Sequence, residues 1–494
     1  MPAMTCDPTA KGLAAVALFL GACASSTPPP VATAVHPPPS SSTPPPVGPS
    51  PAPPPAPVAS SVALAPAASG PDLSVSPPPQ APPETRESRL VARMLRRVEV
   101  ARGLASSKSV PAQRLARDEL IARVKDHVSR ELPPEAIRDE GLALQLFGFL
   151  PTHFDYEAAE YRLLEEQLAG YYEPADQTMY MASDLGDDEA TATLAHELVH
   201  ALQDQHWDLE SRSKYHPGEG DRSEAVSALA EGDATSAMFD VMIARAVPGT
   251  RRSAAEIPDE VFIQQIRNGM SQGPGADAPR IMRSSLAAPY IYGTLFINAL
   301  RRRGGWSEVN RAWDTAPTTT EQILHLEKWD AHELPVTVSA PPFSTLGHGW
   351  AVADEDSEGE LGARLAFEEW MDPAAAAETS SGWGGDRGVL VNSGDRFAFA
   401  WRLRFDDAPT KDARALHAFA AVSHALDKQL GPARAAGGAF ACRERTDRGP
   451  FAVARADNDL VFVLGPARRG PSSWSSAGNC ALARRWIAEI AATP

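Results

Sequence analysis

Cysteine is scarce. Four occur among 494 residues, at positions 6, 23, 442 and 480. Cys6 and Cys23 lie in a leader-like N-terminus, which leaves Cys442 and Cys480 as the pair open to a disulfide in an oxidising compartment. Long hydrophobic runs are lacking too. The apolar stretch from Gly12 to Leu20 is too short to span a bilayer. Charge of one sign is not gathered into blocks. Lys and Arg number 46 against 63 Asp and Glu, a formal net charge of -17 spread along the chain. Such a balance argues against nucleic acid as a partner. A phosphate loop is also missing. Gly382-Trp383-Gly384-Gly385-Asp386-Arg387 has the glycines but neither the Lys nor a strand–loop–helix setting. It is expected to form a tight turn with Asp386 and Arg387 paired.

What is present is enough chain for two or three domains, with 43% hydrophobic residues. Lys11 and the apolar run behind it form an export signal. The run ends in Leu20-Gly21-Ala22-Cys23, which resembles the lipobox of bacterial lipoproteins. That resemblance implies a signal peptide over 1–22 and a lipid on Cys23. The protein would then be anchored in the cell envelope rather than spanning the membrane. Ala24 suggests the outer membrane by the lipoprotein sorting pattern. Residues 23–83 are Pro, Ser, Ala and Val with almost no charge, a composition that cannot bury a core. It reads as an extended stalk.

Folded sequence is expected from Glu84. Helices are read over Arg89–Leu104, Arg114–Leu132, Glu135–Phe149 and Ala158–Leu168. These helices suit either a pro-segment or the fold itself. Gly170 to Met181 reads as strand, turn, strand. Asp187 and Asp188 are then placed to cap the helix that follows.

That helix carries His196-Glu197-Leu198-Val199-His200. Residues four apart share one helix face, so two imidazoles can reach one metal ion, with Glu197 beside them as general base. Two His and a Glu also fit a solvated polar face. However, Leu194, Ala195, Leu198, Val199, Ala201 and Leu202 make this a core helix, where unpartnered polar groups are costly.

A third ligand has two candidates. His206 has the metzincin spacing, but Gln203 stands where that motif needs Gly for a sharp turn. Glu231 lies among Ala228, Leu229, Ala230 and Gly232, an odd place for an unpaired carboxylate unless it binds metal. Glu231 is favoured. Asp204, Asp233 and Thr235 are candidates to orient an imidazole.

These residues, His196 to His206 followed by Ala228-Leu229-Ala230-Glu231-Gly232-Asp233-Ala234, resemble bacterial gluzincin-type zinc metallopeptidases, many known only as exported proteins or lipoproteins. Gly170-Tyr171-Tyr172-Glu173-Pro174 and Thr320-Glu321-Gln322-Ile323-Leu324-His325 are similar to segments of the same group. The resemblance covers about residues 165 to 330. It implies an α+β, zincin-like metallopeptidase domain over 84–335, Zn2+ as cofactor, and a peptide or protein substrate lying along an edge strand. Such an enzyme needs a donor for the developing oxyanion, and Tyr290, Tyr292 and His325 are the candidates, with His325 and Tyr292 carried forward.

Pro289 is read as the start of a helix that ends at Arg303-Gly304. Residues 336–494 read as an α+β module with an antiparallel sheet. It contains Val336–Ser339, a hairpin from Gly388–Val391 to Phe397–Phe405, a helix over Thr410–Leu430 and a terminal helix over Asn479–Ala492. The expected function is peptide hydrolysis at the envelope. The alternatives are a non-catalytic lipoprotein with a vestigial or structural metal site, and a zinc hydrolase of a non-peptide amide such as cell-wall material.

Overall fold

A computed structural model describes residues 85–494, apart from 185–186, 273–274, 407–412, 472 and 494. The expected signal peptide, the lipid-bearing Cys23 and the Pro-rich stalk lie outside the described residues, as do the side chains of Asp187 and Asp188. Helix α1 (Arg86–Arg102) buries Val91, Met94, Leu95 and Val98 along one stripe. The stretch expected as a single helix from Arg114 divides. Ala112–Leu115 is strand β1 and helix α2 runs Arg117–Glu131. The Pro111 carbonyl accepts the Met179 N–H at 2.9 Å, which starts an extended run. The helix begins only after Ala116, with Asp118 and Glu119 in its first turn.

Helices α3 (Pro134–Phe147) and α4 (Tyr156–Gln167) follow, the first closed by Gly148 in the left-handed region. Strands β2 (Gly170–Glu173) and β3 (Thr178–Ala182) form the expected hairpin. With β1 parallel to β3, the small sheet has the order β1-β3-β2, so β2 is an edge.

Helix α5 (Asp187–Trp207) runs beneath β2. Beyond the short α6 (Leu209–Ser213) come α7 (Gly220–Ala246), α8 (Asp259–Gln272) and α9 (Arg280–Gly304). Pro289 lies inside α9 and does not start it. A proline interior to a helix costs about 3 kcal/mol, and here packing outweighs it. Ala287, Ala288, Ile291 and Phe296 are buried in a core shared with α7. The two helices cross at Gly232 and Gly293. A Cβ on Gly293 would overlap the Ala228 carbonyl, and one on Gly232 would overlap the Gly293 backbone. Helices α10 (Trp306–Asp314), α11 (Thr320–Leu324) and α12 (Leu326–Asp330) close this layer. Thr319 caps α11 by accepting the Gln322 N–H.

The rest forms one eight-stranded antiparallel sheet with helices on both faces. Its elements are β4 (Ala351–Asp356), α13 (Gly359–Glu368), α14 (Pro373–Ser380), β5 (Trp383–Ser393), β6 (Arg396–Phe405), α15 (Ala413–Leu430), β7 (Ala435–Gly437), β8 (Phe440–Arg445), β9 (Gly449–Ala456), β10 (Asp459–Arg469), β11 (Trp474–Ser476) and α16 (Cys480–Ala491). The order is β4-β5-β6-β10-β9-β8-β7, with β11 on β10. Period-two alternation sorts the side chains. Leu460, Phe462 and Leu464 join α3, α13, α14 and α15 on one face, while Val461 and Val463 meet α16 on the other. Cys442 and Cys480 are bonded, with Cα atoms 5.8 Å apart, tying β8 to the start of α16.

Two readings here need correction. Gly382–Arg387 is no tight turn. It leads into β5, and Asp386 is not paired with Arg387. Buried Asp386 accepts the indole N–H groups of Trp383 and Trp401 and the backbone N–H groups of Glu358 and Gly359. Val336–Ser339 is not a strand, although the Val336 N–H reaches the Gly384 carbonyl at 2.6 Å.

Arg86–Pro494 belong to one compact unit. Leu361 and Leu365 of α13 sit in the core of α7 and α9. Asp356 accepts the first N–H of α7, from Gly220, at 2.8 Å. The sheet therefore caps the N-terminus of a helix that carries part of the site.

Candidate metal centre

Helix α5 is embedded among α1, α7 and the small sheet by Leu194, Ala195, Leu198, Val199, Ala201 and Leu202, all buried. One turn apart on it, the His196 and His200 rings meet at 76° with centroids 4.8 Å apart. Their Nε2 atoms are 3.1 Å apart. Glu231 arrives from α7, within a run of small residues that lets its carboxylate reach in. Its Oε2 lies 2.9 Å from His196 Nε2 and 3.7 Å from His200 Nε2. Exposure of His196, Glu197, His200 and Glu231 is 1%, 1%, 3% and 0%.

Three donors around one tetrahedral ion, each at about 2.0–2.1 Å, would stand roughly 3.3 Å from one another. The three separations here straddle that value. Glu231 Oε1 is buried with no hydrogen-bond partner, which an ion would relieve. Two nitrogens and a carboxylate oxygen are also the donor set zinc takes. The residues fit a zinc ion.

Electrostatics follows from burial and proximity. Burial works to raise the Glu231 carboxyl, but the two rings outweigh it and hold it down at about 2. Burial works to lower His200, and the Glu231 charge outweighs that, pushing it up to about 9. For His196 burial wins and the ring is lowered. Burial also drives Glu197 well above the carboxylate range, against the pull of His200. Glu197 Oε2 accepts the backbone N–H of Tyr172, on edge strand β2, at 3.0 Å, while its Oε1 has no partner.

His206 is not part of this group. It is exposed, and its Nε2 donates to the Ala105 carbonyl at 2.7 Å. Asp204 does not orient an imidazole but accepts the Tyr172 hydroxyl at 2.9 Å. Thr235 Oγ1 has no hydrogen-bond partner. The residue that does hold an imidazole is Gln203, whose Oε1 meets His200 Nδ1 at 2.8 Å. Sequence reasoning treated Gln203 only as a missing glycine. Its signal was its place three residues after His200, on the same helix face.

Of the three oxyanion candidates, Tyr290 packs its ring 6.0 Å from that of His196. Tyr292 points elsewhere, its ring 4.7 Å from the Arg364 guanidinium. His325 Nε2 engages Glu360 at 2.9 Å. Neither Tyr292 nor His325 contacts the His196–His200–Glu231 group. Positions 290 and 292 lie on a helix and so diverge by about 200°. A second carboxylate group, Glu321, Glu333 and Asp406, surrounds Lys328. Its ammonium is the cation those acids share.

Residues 348–472 match a family described as Domain of unknown function (DUF8575), about a quarter of the chain and confined to the region of the large sheet. No curated protein matches the sequence significantly. Among solved structures, a protein from Chloroflexus aurantiacus, given an inferred hydrolase assignment and a novel fold, is 16% identical. That match covers 51% of this chain and 92% of the other at a TM-score of 0.27, which establishes no shared fold.

Proposed function

We propose that the chain is a zinc-dependent peptidase with a zincin-like catalytic layer, held at the cell envelope through Cys23. One observation carries the reading: His196 Nε2, His200 Nε2 and a Glu231 oxygen converge within 4.8 Å in a buried site, with the unsatisfied Glu197 Oε1 on the same helix. Zinc bound to His196, His200 and Glu231 would supply Lewis acidity toward a water and the scissile carbonyl.

The chain's own groups supply the rest. With an ion's charge offsetting the burial that otherwise keeps it protonated, Glu197 Oε1 would accept the proton of the attacking water and return it to the leaving amine. The Tyr172 N–H holds the other oxygen and so fixes the plane of the carboxylate. Edge strand β2 offers backbone groups to an extended peptide. Tyr290, beside His196, takes over from Tyr292 and His325 as the candidate donor to the developing oxyanion.

The test is metal content together with cleavage of a mixed peptide library by the full chain. About one zinc per chain is expected. Glu197→Gln should keep the zinc and lose cleavage on the order of a hundredfold or more. A folded wild type that takes up no supplied zinc, or a Glu197→Gln variant that still turns over, defeats the reading. Product analysis on peptidoglycan fragments separates a non-peptide amide substrate.

A further inference from the structure

We infer that Gln203 is the positioning residue of the metal centre, holding His200 in register and binding the two ligand-bearing helices to each other. This rests on the zinc reading above. Gln203 is fully buried. Its Nε2 donates to the Ala230 carbonyl at 3.0 Å and to Asp233 Oδ2 at 3.2 Å. Both of those atoms only accept. Asp233 is itself committed as an acceptor, receiving the Arg102 guanidinium at 2.5 Å and the Trp313 indole N–H at 2.8 Å.

The amide therefore has one allowed orientation, with its nitrogen toward α7 and its oxygen toward His200. That oxygen accepts the Nδ1–H of His200, and Nε2 is the ring atom left facing His196 and Glu231. Donation runs in one direction along the chain, from His200 to Gln203 to Asp233, and Arg102 anchors the far end. The Ala230 carbonyl precedes the ligand Glu231 in sequence. One side chain thus sets both the rotation of one ligand and the spacing to the next.

The experiment is zinc affinity by chelator competition on the full chain, comparing wild type, Gln203→Leu and His206→Ala. Thermal melts of the metal-free proteins are run alongside. Gln203→Leu is expected to bind zinc 10–100-fold more weakly, and His206→Ala within about twofold of wild type. A merely structural Gln203 would lower the metal-free melting temperature and leave the affinity of the folded protein unchanged. Equal affinity in Gln203→Leu and wild type overturns the inference while the metal site stands. A wild type that binds no zinc overturns both. If Gln203→Leu does not fold, spectra of zinc-loaded wild type carrying 15N-histidine decide. A slowly exchanging, hydrogen-bonded Nδ1–H on His200, identified by its loss in His200→Ala, supports the assignment, and its absence overturns it.

Discussion

Replacing Arg102 by Met is expected to destabilise the protein by about 3–5 kcal/mol, the cost of leaving one partner of a buried ion pair alone. Arg102 and Asp233 are both 0% exposed and meet at 2.5 Å. The guanidinium also donates to Asn310 Oδ1 at 2.9 Å and lies 4.5 Å from the Trp306 ring centre. Met has comparable length and refills most of the apolar volume, so the loss reports the charge and its hydrogen bonds. The Asp233 carboxylate would keep only the neutral donors Trp313 and Gln203. Against a total stability of about 5–15 kcal/mol, such a loss is read easily by urea denaturation with far-UV circular dichroism. The double variant Arg102→Met/Asp233→Asn leaves no charge buried there and should recover about half of the loss, an interaction of the size double-mutant cycles detect. A single-variant loss below about 1 kcal/mol, or a double variant no more stable than the single, would refute the reasoning. Because Arg102 ends α1, the same result bears on processing. Proteolytic removal of α1 should likewise unfold the site rather than open it.

Two further outcomes follow from packing and charge. Gly293→Ala places a methyl group into the Ala228 carbonyl, and the required separation of α7 and α9 should cost about 3 kcal/mol, seen as lost hydrogen-exchange protection in α7; wild-type protection would refute the close crossing. Asp221 is buried at the start of α7, where it accepts the N–H and hydroxyl of Thr320, and burial raises its carboxyl to about 7. Asp386 and Glu321 add to the upward push, and Glu224 nearby is itself raised to about 8 by burial and by Asp221. Because the folded value exceeds the unfolded one, the stability Asp221 contributes is complete below about pH 4 and is lost as pH rises through about 7. Asp221→Asn should therefore leave stability nearly unchanged at pH 4 and raise it by a few kcal/mol at pH 8, as melts across pH will show; a gain that does not grow with pH would count against the buried carboxyl.

Reading the chain without its structure reached the elements whose information is local. The i,i+4 spacing of His196 and His200 and the hairpin of β5 and β6 are each written within a few consecutive residues. Glu231 was legible because a carboxylate amid alanines contradicts the burial its neighbours demand. Chain-local patterns also separated the helix-rich half from the sheet.

Tertiary structure decided what depends on partners far along the chain. Whether Arg114 is helical turned on a free edge offered by β3. Whether Pro289 could lie inside a helix turned on the packing of α9 against α7. Tyr290 rather than Tyr292 faces His196 because a helix sends alternate residues to opposite sides, and only the packed fold says which side is which. The roles of Gln203, Asp233 and Arg102 arise from hydrogen bonds that join three separate helices. No residue-by-residue pattern encodes such contacts, because each exists only once burial has removed water as the competing partner.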